Sequence, residues 1–501
     1  MKISPNQMEK IVFWSFIAIV AILLYLWDIY YKPDISVYPT PTEFIEKKKK
    51  RKQHKQFRKE WMDNMHRSSD DVDWKDIDTR TRNTKNEKIL NNRKTLNKSG
   101  LKDFNNLTEY IVDDIVGSWD EKGSNNLAGR IHTADIDFEE GLIYCGSAGG
   151  NIWKGTLEGD NWVSLNDYMQ IKDINMIRVL KNDNNRVVIA SSKGVYYTDN
   201  DGLTIEKSSG LEFLNSWGSI GRALTKDENG SVAIYVLSEE GNVGGGSICC
   251  LYKSIDFGTS FTKVFSFNTV NGFSISSSNN NNFDMWTLRY ISSDLFILHN
   301  NQLYTFDTDN NLEIQSEINT NLTGDIVLTG GSNNNHVTLY ARVADEIYYS
   351  SNSGNTWVHR GEIPQWMFTK NSFNASLLSP ENIYWGGMEA FHSEDGGQSW
   401  DLVNPWYDYY NNPNTKLHAD IPEIRFYLNP DYVEVALIST DGGIYISYNG
   451  LQSVHNLSLN GLGVSQYYST YTQKIAPYNI YVGSQDQGFQ RAVNPMGGIE
   501  S

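Results

Sequence analysis

From about Leu107 onward, short apolar runs alternate with punctuation rich in Gly, Ser and Asn. The runs come in pairs around a tight glycine-bearing turn, as in Leu142–Trp153, Arg186–Tyr197, Ile383–Phe391 and Val433–Ile446. A further apolar strand often precedes the pair, as in Glu423–Leu428. Runs this short, rich in β-branched and aromatic residues and bounded by turn formers, predict strands. The stretches Ser276–Asn282 and Ser332–Asn335 are low in complexity and predict surface loops.

After each pair comes a recurring eight-residue pattern. Ser393-x-Asp395-x-Gly397-x-Ser399-Trp400 and Ser254-x-Asp256-x-Gly258-x-Ser260-Phe261 are the best copies. Ser350-x-Asn352-x-Gly354-x-Thr356-Trp357 and Thr198-x-Asn200-x-Gly202-x-Thr204-Ile205 place Asn where those have Asp. Looser copies start at Gly155, Thr305 and Ser447, so seven copies recur at steps of 43–56 residues. The Asp or Asn side chain accepts hydrogen bonds from backbone N–H groups ahead of it, Gly permits positive φ, and the final aromatic ring is buried. The pattern is a turn-forming device, and no residue in it is expected to do chemistry. Several strands per unit, repeated seven times, predict an all-β chain: a seven- or eight-bladed β-propeller, whose radial closure protects sheet edges. The last strands, around Asn479–Phe489, repeat the middle of a unit without a following turn box. They are expected either to close the ring as a shared or eighth blade or to begin a second, truncated propeller, with the second preferred.

The first hundred residues follow another pattern. Ile11–Trp27 is an uncharged run of 17 residues, and Ile29, Tyr30 and Tyr31 extend it past Asp28. This suits an uncleaved transmembrane anchor with an aromatic interface belt, because no small-residue cleavage site follows. Residues 32–104 are charged and poor in large apolar side chains, which predicts a stalk of solvated helix and disordered linker. The expected division is thus an N-terminal tail at 1–10, the anchor at 11–31, the stalk at 32–104 and the propeller at 105–501.

Charge sharpens this division. Residues 1–104 hold 22 Lys and Arg against 14 Asp and Glu, whereas the rest holds 21 against 46. So acidic a body repels phosphate, and no nucleic-acid partner is expected. The three cysteines, Cys145, Cys249 and Cys250, have no metal-binding spacing and predict neither disulfides nor zinc. No cofactor motif is present.

The turn boxes resemble the Asp-box, or bacterial neuraminidase repeat, of sialidases, sortilin-type propellers and tandem-propeller xyloglucan hydrolases. Ala128–Asp137, Cys145–Lys154, Trp61 with Met65, His66 and Arg67, Asp73-Trp74 and Gly483–Gly488 look like the large Asp-box proteins of Bacteroidetes-type bacteria, commonly described as sortilin-like or glycosyl-hydrolase-like. That resemblance implies a secreted or surface location. It also allows catalysis to be tested position by position. Where the xyloglucan hydrolases carry a catalytic Asp in a first-blade turn, this chain has Ala148. Where they carry the second, the similar segment Gly461–Ser469 offers Ser469. A sialidase needs an arginine triad, and Arg130, Arg178, Arg186, Arg222, Arg289, Arg342, Arg360, Arg425 and Arg491 are available without any pattern that groups three.

The turns between second and third strands, opposite the boxes, are where a ligand face is expected. There lie Ser147–Gly150, Glu389, Asp441 and Asp486, with Arg130, His418 and Asp420 at the starts of inner strands. The expected function is an anchored extracytoplasmic propeller that binds a glycan or protein ligand through Arg130, His418, Asp420, Asp441 and Asp486, without catalysis. The alternative is a glycoside hydrolase acting through Asp441, Asp486 or Glu389. Against each acid stands a plain turn-forming role, and against His418 a hydrogen-bonded histidine in a surface loop.

Overall fold

The computed structural model describes a helix at 48–65, scattered positions between 77 and 91, and residues 123–492 apart from short internal segments. The expected anchor at 11–31 lies outside the described residues, as does most of the expected stalk. The described part of the stalk includes one α-helix, Lys48–Met65, with Phe57 and Trp61 exposed. No helix among the described residues is long and apolar enough to cross a membrane.

The rest is β-structure. Among the described residues there are seven four-stranded antiparallel sheets and one three-stranded sheet. Each four-stranded sheet uses four consecutive strands, and the inner strands are Ile131–Asp137, Ile174–Leu180, Ser219–Glu228, Phe283–Thr287, Ile326–Asn333, Phe373–Ala375 and Glu423–Leu428. Most inner-strand residues are buried, because neighbouring sheets pack against both faces. Four outer strands shrink to two residues each, at Val163–Ser164, Glu206–Lys207, Asp401–Leu402 and His455–Asn456. Edges this short offer little template for pairing with another chain.

Seven separate apolar clusters fill the spaces between consecutive sheets, and one of them joins the seventh sheet to the first. In that closing cluster Ile131, Ile136 and Trp153 pack with Tyr427, Leu437 and Ile444. Among the largest fully buried side chains are Trp385, Tyr340, Tyr384 and Tyr445. Burying a large apolar side chain is worth about 1.5–3 kcal/mol, so the aromatic-rich strands stabilise the seams between sheets. The arrangement is a β-propeller.

Polar residues on the inner strands link one sheet to the next. Asp135 accepts a hydrogen bond from Val179 N (2.7 Å), Asp284 from Leu328 N (2.9 Å) and Thr329 Oγ1 from Ala375 N (3.4 Å). Asn374 donates to Ile424 O. Glu423 accepts from Ala134 N at 3.0 Å, and Tyr427 donates to Ala134 O at 3.0 Å, which ties the seventh sheet to the first.

The turn boxes form as their residue types require. Asp395 Oδ1 accepts from Gln398 N and Ser399 N (2.9 Å each) and from Ser393 Oγ (2.8 Å), while Ser399 Oγ donates to Oδ2 at 2.6 Å. Gly397 N closes on Ser393 Oγ at 2.8 Å with Gly397 φ at 93°. Asp256, Asn200, Asn352 and Asn449 organise the same turn. The copies at Gly155 and Thr305 depart from it. There Thr156 Oγ1 accepts from Asp160 N and Asp307 Oδ1 from Asn311 N.

The three-stranded sheet, Tyr467–Thr472, Ile480–Ser484 and Gly488–Ala492, has its own small apolar cluster. It meets the ring where Gln487 Nε2 donates to Leu127 O at 2.6 Å.

Candidate functional site

In an antiparallel sheet of consecutive strands, the start of the first strand and the turn between second and third share one end. The boxes, between third and fourth strands, share the other. Arg130 precedes the first inner strand, His418 and Asp420 precede the seventh, and Asp441 sits between Glu434–Thr440 and Gly443–Ser447. Asp486 sits between the second and third strands of the three-stranded sheet. All five predicted binding residues therefore lie at one end of the propeller, and the structure brings them together.

Arg130 is the hub. Its Nε donates to Asp441 Oδ1 at 2.5 Å and its Nη2 to Asp441 Oδ2, a bidentate pair. Asp420 Oδ2 lies 3.9 Å from Arg130 Nη2. The Asp441 side chain is 1% exposed, against 29% for Arg130 and 30% for Asp420. Burial pushes the Asp441 carboxyl up to about 8, against the pull of Arg130 and helped by Asp420 and Asp486. Burial also raises Asp420, which Arg130 partly offsets. Asp420 and Asp486 both hold positive φ, 61° and 60°, a strained setting that short polar side chains tolerate.

His418 differs from expectation. It is 5% exposed, so it is a core histidine and not part of a surface loop. Its Nδ1 donates to Ala419 O at 2.9 Å, and Tyr409 meets its ring edge-on at 4.5 Å between centroids. Burial lowers its pKa, which favours the neutral ring. The expectation that it is satisfied by a hydrogen bond holds; its position is deeper because Gly442 leaves room for it. A Cβ at Gly442 would lie 2.6 Å from the His418 side chain.

Glu389 sits at the same end but is used internally. Its Oε1 accepts from Trp406 N at 3.1 Å, which holds the short 3-10 helix Trp406–Tyr410. Gln365 Oε1 accepts from Met388 N and Glu389 N. Around this loop gather Trp366, Phe368, Trp406 and Tyr407, with Trp366 and Tyr407 about half exposed. The Arg130 guanidinium lies 5.5 Å from the Phe368 ring centroid. The end of the propeller thus offers an acid-rich centre flanked by aromatic faces. No group of three His, Cys, Asp or Glu side chains able to hold a metal occurs among the described residues.

Ala148 lies in the turn joining Leu142–Ser147 to Ile152–Thr156, and Ser469 lies exposed in the strand Tyr467–Thr472. Among the arginines, three sit elsewhere from the mouth but together. Arg178, Arg222 and Arg425 line a cavity of about 90 Å³ inside the ring, with Asn371, Asn374 and Glu423. Arg186 pairs with Asp199, Arg342 donates to Ala344 O, and Arg360 covers the Tyr349 ring. Arg289 lies outside the described residues.

Two groups escaped the sequence reasoning. Glu423, Asp135 and Asp284 are buried on inner strands, and Glu423 is pushed up to about 7 by burial. Their signal was an acid within a strand whose other positions are mostly buried. The aromatic flank at Trp366 and Trp406–Tyr407 comes from loops with no repeat to align.

No protein-family model and no curated protein matches the chain. Among solved structures, an ancestral GH74 enzyme matches with TM-score 0.50 at 14% identity, over 74% of this chain and 54% of that one. The chain thus spans about half the length of that structure. A Dos1 propeller matches at 13% identity and TM-score 0.41, over 69% of this chain and 83% of that one. A streptogramin B lyase matches at 12% identity and TM-score 0.42, over 66% and 97%. At these identities the likeness concerns the propeller fold.

Proposed function

We propose that this is a non-catalytic binding or scaffolding propeller that takes a glycan or protein ligand at the end of the ring bearing Arg130, Asp420, Asp441 and Asp486. The observation that carries the reading is the state of Asp441. The best-placed acid is buried and locked bidentately to Arg130, so it is a positioning partner rather than a free proton donor or nucleophile. Asp420 and Asp486 remain as acceptors for hydroxyl or cationic groups, beside the aromatic faces of Trp366 and Tyr407. A concave end with a few convergent polar groups and aromatic walls is the usual form of a binding site.

Within the same proposal the propeller has seven blades, with the three-stranded sheet outside the ring as part of a further one. The closing cluster between seventh and first sheets supports this count. The repeated box turns support assignment to the Asp-box, sortilin-like or glycosyl-hydrolase-like group. The apolar run Ile11–Trp27 supports a single membrane anchor, and the resemblance to surface proteins supports an extracytoplasmic body.

The second reading is glycoside hydrolysis, which the fold-level likeness to a GH74 enzyme favours. An inverting hydrolase needs two free carboxyls roughly 6.5–9.5 Å apart. Incubation of the full-length protein with xyloglucan and with a sialoside reporter separates the two. Under the binding reading no product forms, and Asp420→Asn with Asp486→Asn lowers ligand retention on a glycan array or in a pull-down. Cleavage that disappears in Asp441→Asn overturns it.

A further inference from the structure

Apart from the mouth, three arginines meet inside the ring, and one has a buried nitrogen without an acceptor among the described residues. Arg178, Arg222 and Arg425 come from the inner strands of the second, third and seventh sheets and line one cavity. Arg222 is served: its Nε lies 3.3 Å from Asp284 Oδ1, and its Nη1 donates to Asn371 Oδ1. Arg178, 3% exposed, donates to its own strand at Ile177 O. Arg425 Nη1 is buried and meets no protein acceptor among the described residues. No ion pair ties Arg178 or Arg425 to a carboxylate there. Nearby, Lys370 donates to Phe283 O.

Each acid around them has one carboxyl oxygen engaged, and Asp284 Oδ1 faces Arg222, while Asp135 Oδ1 meets no donor among the described residues. Asp135 and Asp284 accept backbone N–H groups of the following sheet, and Glu423 accepts Ala134 N. Glu423, pushed up to about 7 by burial, carries only part of its negative charge at neutral pH. A buried guanidinium nitrogen without an acceptor carries a desolvation penalty unless an anion or water completes it. At roughly 10–15 Å³ of such space per water, the cavity of about 90 Å³ holds several waters or one compact anion. Guanidiniums are suited to this, since their forks match oxyanions and remain charged.

We propose that the axial cavity binds one small oxyanion, held by Arg178, Arg222 and Arg425, which bridges the inner strands of the second, third and seventh sheets. The chemistry is that of phosphate, sulfate or a terminal carboxylate. The site is separate from the Arg130 mouth and does not depend on any ligand there. Its effect is structural, because the bound ion crosses between early and late parts of the chain.

The test is thermal unfolding of the full-length protein with rising phosphate, sulfate or acetate, against chloride at matched ionic strength. A ligand that binds only the folded state raises Tm in a saturable way, by about 2.7 kcal/mol of stability at a hundredfold excess over Kd. A saturable rise with phosphate or sulfate identifies a free ion as occupant, and one with acetate alone identifies the carboxylate end of a larger molecule. Arg425→Met is expected to abolish the rise while its Tm in chloride stays at or above that of the parent. Arg425→Lys keeps the charge and retains part of the rise. The proposal is overturned by anion curves that superimpose on chloride, or by an unchanged rise in Arg425→Met. Should Arg425→Met fail to fold, the same comparison on Arg178→Met decides.

Discussion

At the scale of single residues, carboxyl groups in this chain divide into two opposite kinds. Asp395 sits in a turn box where burial raises it, but hydrogen bonds from Ser399, Ser393 and Gln398 together outweigh that and hold it down at about 2. Its contribution to stability is present above the ordinary Asp value near 3.8 and is lost as pH falls through the folded value. Glu423 and Asp441 are pushed up by burial, to about 7 and about 8. For them the folded state binds the proton more tightly than the unfolded chain. Their contribution is greatest below pH 4 and declines as pH rises toward their folded values. Thermal stability is therefore expected to fall between about pH 5 and 8, and Glu423→Gln to flatten the lower part of that slope. A parent and variant with parallel Tm–pH curves would count against it. Asp256→Ala removes the acceptor for Ser254, Ser260 N and Ser260 Oγ. At about 1 kcal/mol per lost hydrogen bond, chemical denaturation should show a loss of about 1–3 kcal/mol. Asp256→Asn should cost less, since Asn organises the same turn at Asn200, Asn352 and Asn449. Ligand retention is unaffected by either change.

Individual turns and strands show what a sequence makes legible. The boxes could be located because every bond in them joins residues at most four apart. The same locality let the turns bearing Asp441 and Glu389 be assigned to one end. His418 lies deeper than its loop position suggests because what buries it, Gly442 and Tyr409, comes from a distant turn and a 3-10 helix. Asp135, Asp284 and Glu423 were missed for a similar reason. Each bonds a strand of the next sheet, 44 residues away for the first two and 289 for the last. The box turns also predict where glycine is obligatory. Gly202 has φ of 77°, and a Cβ there would lie 2.1 Å from Leu165 O. Gly202→Ala forces backbone of the first sheet's outer loop aside, at about 1–3 kcal/mol or more. A Tm within 1 °C of the parent would show the turn to be more compliant than this.

For the whole molecule, stability depends on the seam between the seventh sheet and the first. That seam has an apolar cluster, the Glu423 bond to Ala134 N and the Tyr427 bond to Ala134 O. Glu423→Ala cuts the acceptor where Glu423→Gln keeps one, so limited proteolysis should nick Glu423→Ala fastest near residues 123–130 and leave Glu423→Gln close to the parent. Equal rates for the two variants would place the strength of the seam in packing alone.

No sheet in the ring borrows a strand from another; each takes four in a row. The segments that enter and leave the ring also touch, through Gly129 N on Val464 O (2.7 Å) and Gly461 N on Asn125 O (2.8 Å). Chain order is therefore a formality for this architecture. A circular permutant that joins residue 464 to residue 124 through a short linker, and opens at any loop between two sheets, leaves all seven interfaces intact. Its seam is then the former covalent link between the two chosen sheets, and moving the opening around the ring grades the seven interfaces by strength.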